Sequence, residues 1–394
     1  VTVSVLYWRH AAMPSSEAVQ VGVRVRPFNE NERGTECCLS ASLDRPVLSI
    51  TAPPAVAGAA ARRATLGPNA APPPQPASST GAVTTGFPFD HVFWSAGAVS
   101  SGPAPPDASQ VDVYTAIGAP IVHHALEGFN GCLFAYGQTG SGKTHTMLGD
   151  VADDELMGVV PRICRELFDL LAEKTAAADG GGSRWTVELG FVEIYNETLN
   201  DLLAKAKPQA QTAATAAARG KTPASARGAA SKSSPLQPPP PTKAAVIRES
   251  SERGVFIENQ TLRPVASAAE ALAAIEEASA ARTVASTRMN QRSSRSHAVI
   301  QLHLVELSTG GRAAGGVASP MRVAGKAAGG ILKRSVVNMV DLAGSERVKS
   351  TGAAGDQLEQ AKYINLSLTT LGRVIDALAN LSKKAAASSS SGSR

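Results

Sequence analysis

Gly137-Gln138-Thr139-Gly140-Ser141-Gly142-Lys143-Thr144 carries the pattern G-x-x-x-x-G-K-[ST]. It follows the apolar run Cys132-Leu133-Phe134-Ala135-Tyr136, which reads as a strand, and leads into a stretch that reads as a helix. Each part of the pattern has a chemical reason. Glycines let backbone N–H groups turn inward around phosphate oxygens, where a side chain would block the approach. The start of the following helix adds partial positive charge. Lys143 can reach the β- and γ-phosphates, and the Thr144 hydroxyl can ligate Mg²⁺. The order strand, glycine loop, helix predicts nucleotide binding.

Working outward, Val340-Asp341-Leu342-Ala343-Gly344 closes a short buried run that starts at Val336. An aspartate there can hold Mg²⁺ through water, and a glycine N–H can contact the γ-phosphate. The guanine-reading motif Asn-Lys-x-Asp occurs nowhere in the chain, which favours ATP over GTP. Val19, Val21, Val23 and Val25 alternate as in a half-buried strand, as do Ile300, Leu302 and Leu304. Residues 87–93 (FPFDHVF) and 185–195 (WTVELGFVEIY) also read as strands. Between them, Pro161 opens a helix with Ile163, Leu167 and Leu170 on one face. Ser267 and Glu270 form a capping box ahead of a helix from Ala271 to Arg282. Ile364, Leu368, Leu371, Ile375 and Leu378 make a long stripe at helical spacing. Strands interleaved with helices predict a layered α/β domain.

The chain has 394 residues, enough for two or three average domains or one large α/β domain swollen by insertions. Three stretches read as low-complexity inserts without the apolar surface to offset ordering entropy: 52–86, 204–244 and 308–330. Residues 1–18 read as an N-terminal extension and 382–394 as a disordered tail, leaving 19–381 as the domain. Val1 opens the sequence, and Met13 is one candidate start. The net charge of +5 suits an acidic partner without identifying one. Cys37, Cys38, Cys132 and Cys164 have no paired spacing, which points to a reducing, intracellular compartment rather than a disulfide framework or zinc site. No apolar run approaches the roughly 18 residues a membrane helix needs, so no membrane insertion is expected.

Longer segments are more specific. GQTGSGKTHTM (137–147) is preceded by FNGCLFAY (129–136) and followed, far downstream, by NQRSSRSH (290–297) and DLAGSER (341–347). This trio resembles the signature of kinesin motor domains: the P-loop, switch I and switch II. VRVRPFNENE (23–32), FDHVF (89–93), VEIYNETLNDLL (192–203), the stretch from Arg282 to Met289 and INLSLTTLGRVIDAL (364–378) extend the likeness in the family's order. The run SLTTLGRVI (367–375) most resembles kinesins with an N-terminal motor. The resemblance implies a three-layer P-loop NTPase fold with a central mixed β-sheet flanked by helices. It also implies ATP hydrolysis with Mg²⁺, microtubules (tubulin) as partner rather than nucleic acid, and a cytoplasmic, cytoskeletal location.

At matching positions the resemblance assigns roles. Arg24, Arg26 and Pro27 would border the adenine, with His145 on its other side. Residues 137–144 would cradle the phosphates, and Thr144, Ser294 and Asp341 would organise Mg²⁺. Ser293 would help position the lytic water, and Arg295 would bridge to Glu346 when ATP is bound. Gly344 would sense the γ-phosphate, and Asn365 would belong to the relay to the track-binding helix. Lys362 and Arg373 would meet the track. Gln360 and Leu366 stand where the family more often has an acidic and a basic residue. Kinesin motors continue past this helix with a basic loop, another helix, a strand, a final helix and a neck linker, whereas here SKKAAASSSSGSR (382–394) follows. The fold is therefore expected to be incomplete at the C-terminus, and the chain alone to bind microtubules weakly and not to walk. The alternative function is a nucleotide-binding, non-motile kinesin fragment or degenerate kinesin.

Overall fold

The computed structural model describes residues 2–9, 19–52, 83–97, 106–177, 183–205, 244–251, 254–286, 292–308, 330–346 and 356–391. The inserts expected at 52–86, 204–244 and 308–330 lie almost wholly outside the described residues. Chain order begins β1 (Thr2–Arg9), β2 (Val19–Val25), β3 (Leu39–Ala41), β4 (Val47–Ala52), β5 (Val83–Pro88) and β6 (His91–Trp94). Next come α1 (Gln110–Val113), a π-helical turn (Tyr114–Gly118), α2 (Ala119–Leu126), β7 (Gly131–Tyr136), α3 (Lys143–Met147) and α4 (Val159–Ala177). Then follow β8 (Ser183–Tyr195), β9 (Thr198–Asp201), α5 (Leu202–Lys205), β10 (Val246–Ser250), β11 (Gly254–Glu258), β12 (Arg263–Val265) and α6 (Ala268–Ser286). The remainder is a 3₁₀ turn (Arg292–Arg295), β13 (His297–Ser308), β14 (Ile331–Asp341) and α7 (Asp356–Ser391).

A nine-stranded sheet runs β12-β8-β13-β14-β7-β1-β2-β6, with β9 paired to β8. It is mixed: β7–β14 and β2–β6 are parallel, while the other pairs are antiparallel. Alternation decides the faces. Ala298, Ile300, Leu302 and Leu304 of β13 are buried, as are Ser335, Val337 and Met339 of β14, while the residues between them are half-buried. The deeply buried face packs with α1, α2, α4 and α6 into one core that includes Ile121, Ile163, Leu167 and Ala274. Each such Leu or Ile contributes about 1.5–3 kcal/mol by leaving water. His297 has the parity of the other face, and there α7 meets the sheet. Helices thus flank the sheet, as the α/β reading requires.

Four points differ from the sequence reading. Residues 2–9 are not an extension outside the domain: β1 lies between β2 and β7 and joins the two parts of the sheet. FPFDHVF is two strands in different sheets, since β5 pairs with β4 and β6 with β2. Asp90 makes the break, its carboxylate accepting from the Val21 N–H at 2.6 Å. Ser267 caps the Glu270 N–H at 3.2 Å, but the Glu270 carboxylate reaches back to Ala266 N, at 2.8 Å, rather than to Ser267. α7 continues through Ser391, past the expected boundary at 381, because the Lys-Ala run after it has high helix propensity.

Candidate functional site

Because β7 and β14 are parallel neighbours, with Asp341 in register with Ala135, their C-terminal ends deliver the P-loop and the D-L-A-G segment to one place. The loop turns through Gly140 at φ +78° and Gly142 at φ +94°, where a Cβ would be strained. Lys143 is nearly buried, and its Nζ donates to the carbonyls of Gly137 at 2.9 Å and Gln138 at 3.1 Å. Burial pulls its pKa down, while Asp341 and Glu346 oppose that. The Thr144 hydroxyl donates to Asp341 Oδ2 at 2.6 Å. Burial pushes the Asp341 carboxyl up, against the Thr144 bond and the charges of Arg282 and Lys143.

Four consecutive amides after Asp341 are tied to the two neighbouring segments, the outer two to residues 135–137 and the inner two to residues 294–297. Leu342 N donates to Ala135 O (3.2 Å), Ala343 N to His297 Nδ1 (3.1 Å), Gly344 N to Ser294 O (2.8 Å) and Ser345 N to Gly137 O (3.1 Å). The Glu346 carboxylate then accepts from the backbone N–H and hydroxyl of Thr139. Arg295 is half-buried and lines a small cavity with Tyr195, Glu197 and Tyr363. Ser293 belongs to the 3₁₀ turn, with its side chain outside the described ones.

On the far side of α3 a polar knot surrounds Arg24. Its guanidinium donates to Gln110 Oε1 (2.6 Å), Thr146 Oγ1 (3.1 Å) and Ser95 Oγ (3.2 Å) and is buried. Gln110 Nε2 in turn holds the His145 carbonyl at 2.8 Å and lies 3.3 Å from its ring. Burial first, then the Arg24 charge, holds the His145 pKa down, so the ring is neutral at pH 7. Arg26 is paired with Glu32 at 2.7 and 2.8 Å, beside an exposed Pro27. Arg24 thus reaches His145 through Gln110, a residue the sequence reading passed over. The available signal was Ser109–Asp112, a capping box that fixes α1 immediately around it.

The family model for the kinesin motor domain matches residues 24–389. The chain belongs to the kinesin motor-domain family. It is 42% identical over 378 residues to kinesin-like protein K39 of Leishmania chagasi, covering 94% of this chain and 34% of that protein. It is 32% identical over 372 residues to kinesin-like protein unc-104 of Caenorhabditis elegans, covering 93% and 18%. The chain thus spans about a third or less of these curated relatives. Among solved structures, KIF14 residues 391–772, a dimer with AMP-PNP in complex with a microtubule, matches at TM-score 0.58 and 28% identity, over 91% of this chain and 76% of that one. A fast kinesin matches at TM-score 0.59 and 27% identity, over 91% and 74%. Kinesin motor domains bind nucleotide and hydrolyse ATP.

A divalent cation fits this kinesin site. Asp341 Oδ1 is buried without a hydrogen-bond partner, while Oδ2 of the same carboxylate accepts from the Thr144 hydroxyl. Among the described residues no three His, Cys, Asp or Glu side chains cluster as metal ligands. A cation here would therefore rest on hydroxyls, one carboxylate and the phosphates themselves, the donor set Mg²⁺ prefers.

Proposed function

We propose that this domain hydrolyses ATP with Mg²⁺ and couples hydrolysis to microtubule binding and movement. The observation that carries the reading is the convergence of Lys143, Thr144, Asp341 and Glu346 on one glycine-rich loop, with switch I attached through Ser294 and His297. Lys143 Nζ would exchange the Gly137 and Gln138 carbonyls for phosphate oxygens. Thr144, Ser294 and Asp341, the last through water, would hold Mg²⁺, which would supply positive charge against the phosphates. Gly344 N–H would leave Ser294 O to meet the γ-phosphate, drawing switch II with it. Glu346 would then leave Thr139 and pair with Arg295, and Ser293 would help position water. Arg24, through Gln110, would fix His145 at the adenine, which Arg26 and Pro27 border. Phosphoryl transfer to water needs chiefly such positioning and charge compensation.

The domain would run from residue 19 to near 381, with β1 and the last turns of α7 added to it. An acidic tubulin surface suits the exposed Lys362 and Arg373 of α7, and a cytoplasmic, cytoskeletal location follows from that partner. No helix among the described residues is long and apolar enough to cross a membrane. Phosphate release with and without polymerised tubulin tests the reading. Turnover that tubulin stimulates supports it, turnover indifferent to tubulin leaves a non-motile nucleotide hydrolase, and no turnover with either sinks it.

A further inference from the structure

β8 is fully paired on one side only. On that side β13 runs beside it from Ser183 to Ile194, whereas on the other it meets β12 at residues 187–189 and β9 at residues 192–195. Residues 183–186 are therefore an open edge among the described strands. β12 stops short of them for a local reason. After Val265, opposite Val187, the Ala266 N–H turns to the Glu270 carboxylate at 2.8 Å and the chain enters α6. Pro264, opposite Glu188, has no N–H, so the bonds to β12 fall on Val187 and Leu189. By alternation Ser183 and Trp185 also turn their N–H and C=O outward, while Arg184 and Thr186 turn theirs to β13. The open edge borders a groove of about 920 Å³, lined by Phe168 and Leu171 of α4, Trp185 and Val187 of β8, and Val265 of β12. Trp185 is half-buried and has the parity of the buried Val187. Arg184 has the opposite parity, is exposed, and has no ion-pair partner among the described residues.

We propose that this edge takes an extended segment of a partner polypeptide as one further strand, apolar at alternate positions with an acidic residue between them. The outward N–H and C=O groups of Ser183 and Trp185 hold its backbone. Its side chains on the Trp185 face fill the groove, and the residue opposite Arg184 meets the guanidinium. The chain's own long inserts do not fit that description. Residues 53–82, 206–243 and 309–329 contain no Asp or Glu to set against Arg184. Residues 178–182, which lead into β8, are Ala-Asp-Gly-Gly-Gly and bring no large apolar side chain to the groove. The edge also lies away from the phosphate loop. Ser183 pairs with Ser308, and Leu307 with Ile331 where β14 begins, whereas the loop sits where β14 ends. A partner strand therefore docks without entering the nucleotide site, and the proposal does not depend on the nucleotide reading.

Two amidated peptides with fluorescein at the N-terminus, Leu-Asp-Leu-Asp-Leu and Leu-Lys-Leu-Lys-Leu, test this by anisotropy with the full chain. The acidic peptide should bind about fivefold tighter than the basic one. It should slow amide exchange about tenfold at Ser183 and Trp185, and leave Arg184 and Thr186, already bonded to β13, unchanged. Arg184→Glu, at an exposed position, should invert the order of the two peptides. Ser183→Pro removes one outward N–H at the first position of the strand, where proline is tolerated, and should weaken the acidic peptide about fivefold. Ser183→Ala, which loses only the hydroxyl bonded to Glu306, should bind it as wild type does. No binding of either peptide, equal binding of both, an order that Arg184→Glu leaves unchanged, or a Ser183→Pro variant no weaker than Ser183→Ala overturns the proposal. Protection of amides 183 and 185 without any peptide overturns it too. Its loss on dilution would assign the edge to a second copy of the chain, and its loss on deleting 309–329 to the chain's own insert.

Discussion

Glu346 holds Thr139 by two hydrogen bonds, 2.9 Å from the backbone N–H and 2.6 Å from the hydroxyl. Burial alone would raise the carboxyl's pKa, but the Thr139 bonds and the Lys143 charge bring it below the ordinary value, so it is an anion at neutral pH. An anion therefore sits on a P-loop amide that a phosphate oxygen would use. A Cβ on Gly344 would collide with this same carboxylate and hydroxyl, which is why glycine stands there.

On the proposed function, that relationship would make Glu346 a competitor of the substrate as well as a switch. Glu346→Ala should bind ATP as tightly as wild type or tighter by up to about tenfold, since a charge-assisted bond is removed from the empty loop. It should at the same time slow hydrolysis about 10²-fold by losing the closed state. Nucleotide titration and single-turnover phosphate release measure the two separately. Weaker binding in the mutant would contradict the competition.

Lys143 donates to two carbonyls of its own loop and is nearly buried. Lys143→Ala should lower turnover by about 10²–10³-fold, because its ammonium is the side-chain charge that the loop would turn onto the phosphates. Equal turnover in the two proteins would remove the residue from the site.

Burial, with Arg282 and Lys143 nearby, pushes His297 down to about 4 from its ordinary 6.5. The unfolded chain then binds more protons between these values, so stability should be complete above pH 6.5 and fall as pH drops towards 4. The loss attributable to this ring is about 3 kcal/mol. Asp341, raised by burial, acts in the opposite sense over part of that window. Comparing denaturant midpoints of wild type and His297→Gln from pH 7 to 4 isolates the histidine, and the mutant's profile should be flatter.

Asn196 and Glu197 connect β8 to β9 with φ of +51° and +58°. Two positive φ values define the two-residue turn that matches strand twist, and its second position favours glycine. Glu197→Gly should stabilise the protein by about 1 kcal/mol. Calorimetry should show a higher Tm, and a lower one would mean that the Glu197 side chain contributes more than its backbone costs.

The phosphate loop was legible because its chemistry is local: eight adjacent residues after an apolar strand. The buried stripes of β13 and α4 were legible for the same reason, since Ile300, Leu302, Leu304, Ile163 and Leu167 repeat at the period of their element. What escaped was non-local. Gln110 matters through Arg24 and His145, residues 86 and 35 positions away. His297 was visible as a letter of a motif, but its partners Ala343 and Ser367 meet only once β13, β14 and α7 are assembled. β1 escaped for another reason: the alternation at 19–25 marks a strand as well as 2–9 does, and pattern alone does not tell which strands share a sheet.

The parallel pairing of β7 with β14 has a consequence for synthesis. The P-loop strand leaves the ribosome about two hundred residues before the strand that pairs with it, a wait of about 10–40 s at ordinary elongation rates. Through that interval one edge of β7 is unpaired, and the loop lacks Asp341 and Glu346. Nucleotide can then stabilise the fold only once Asp341 and Glu346 have emerged. A nascent chain of this kind depends, through those two hundred residues, on whatever covers an open strand edge until its partner arrives.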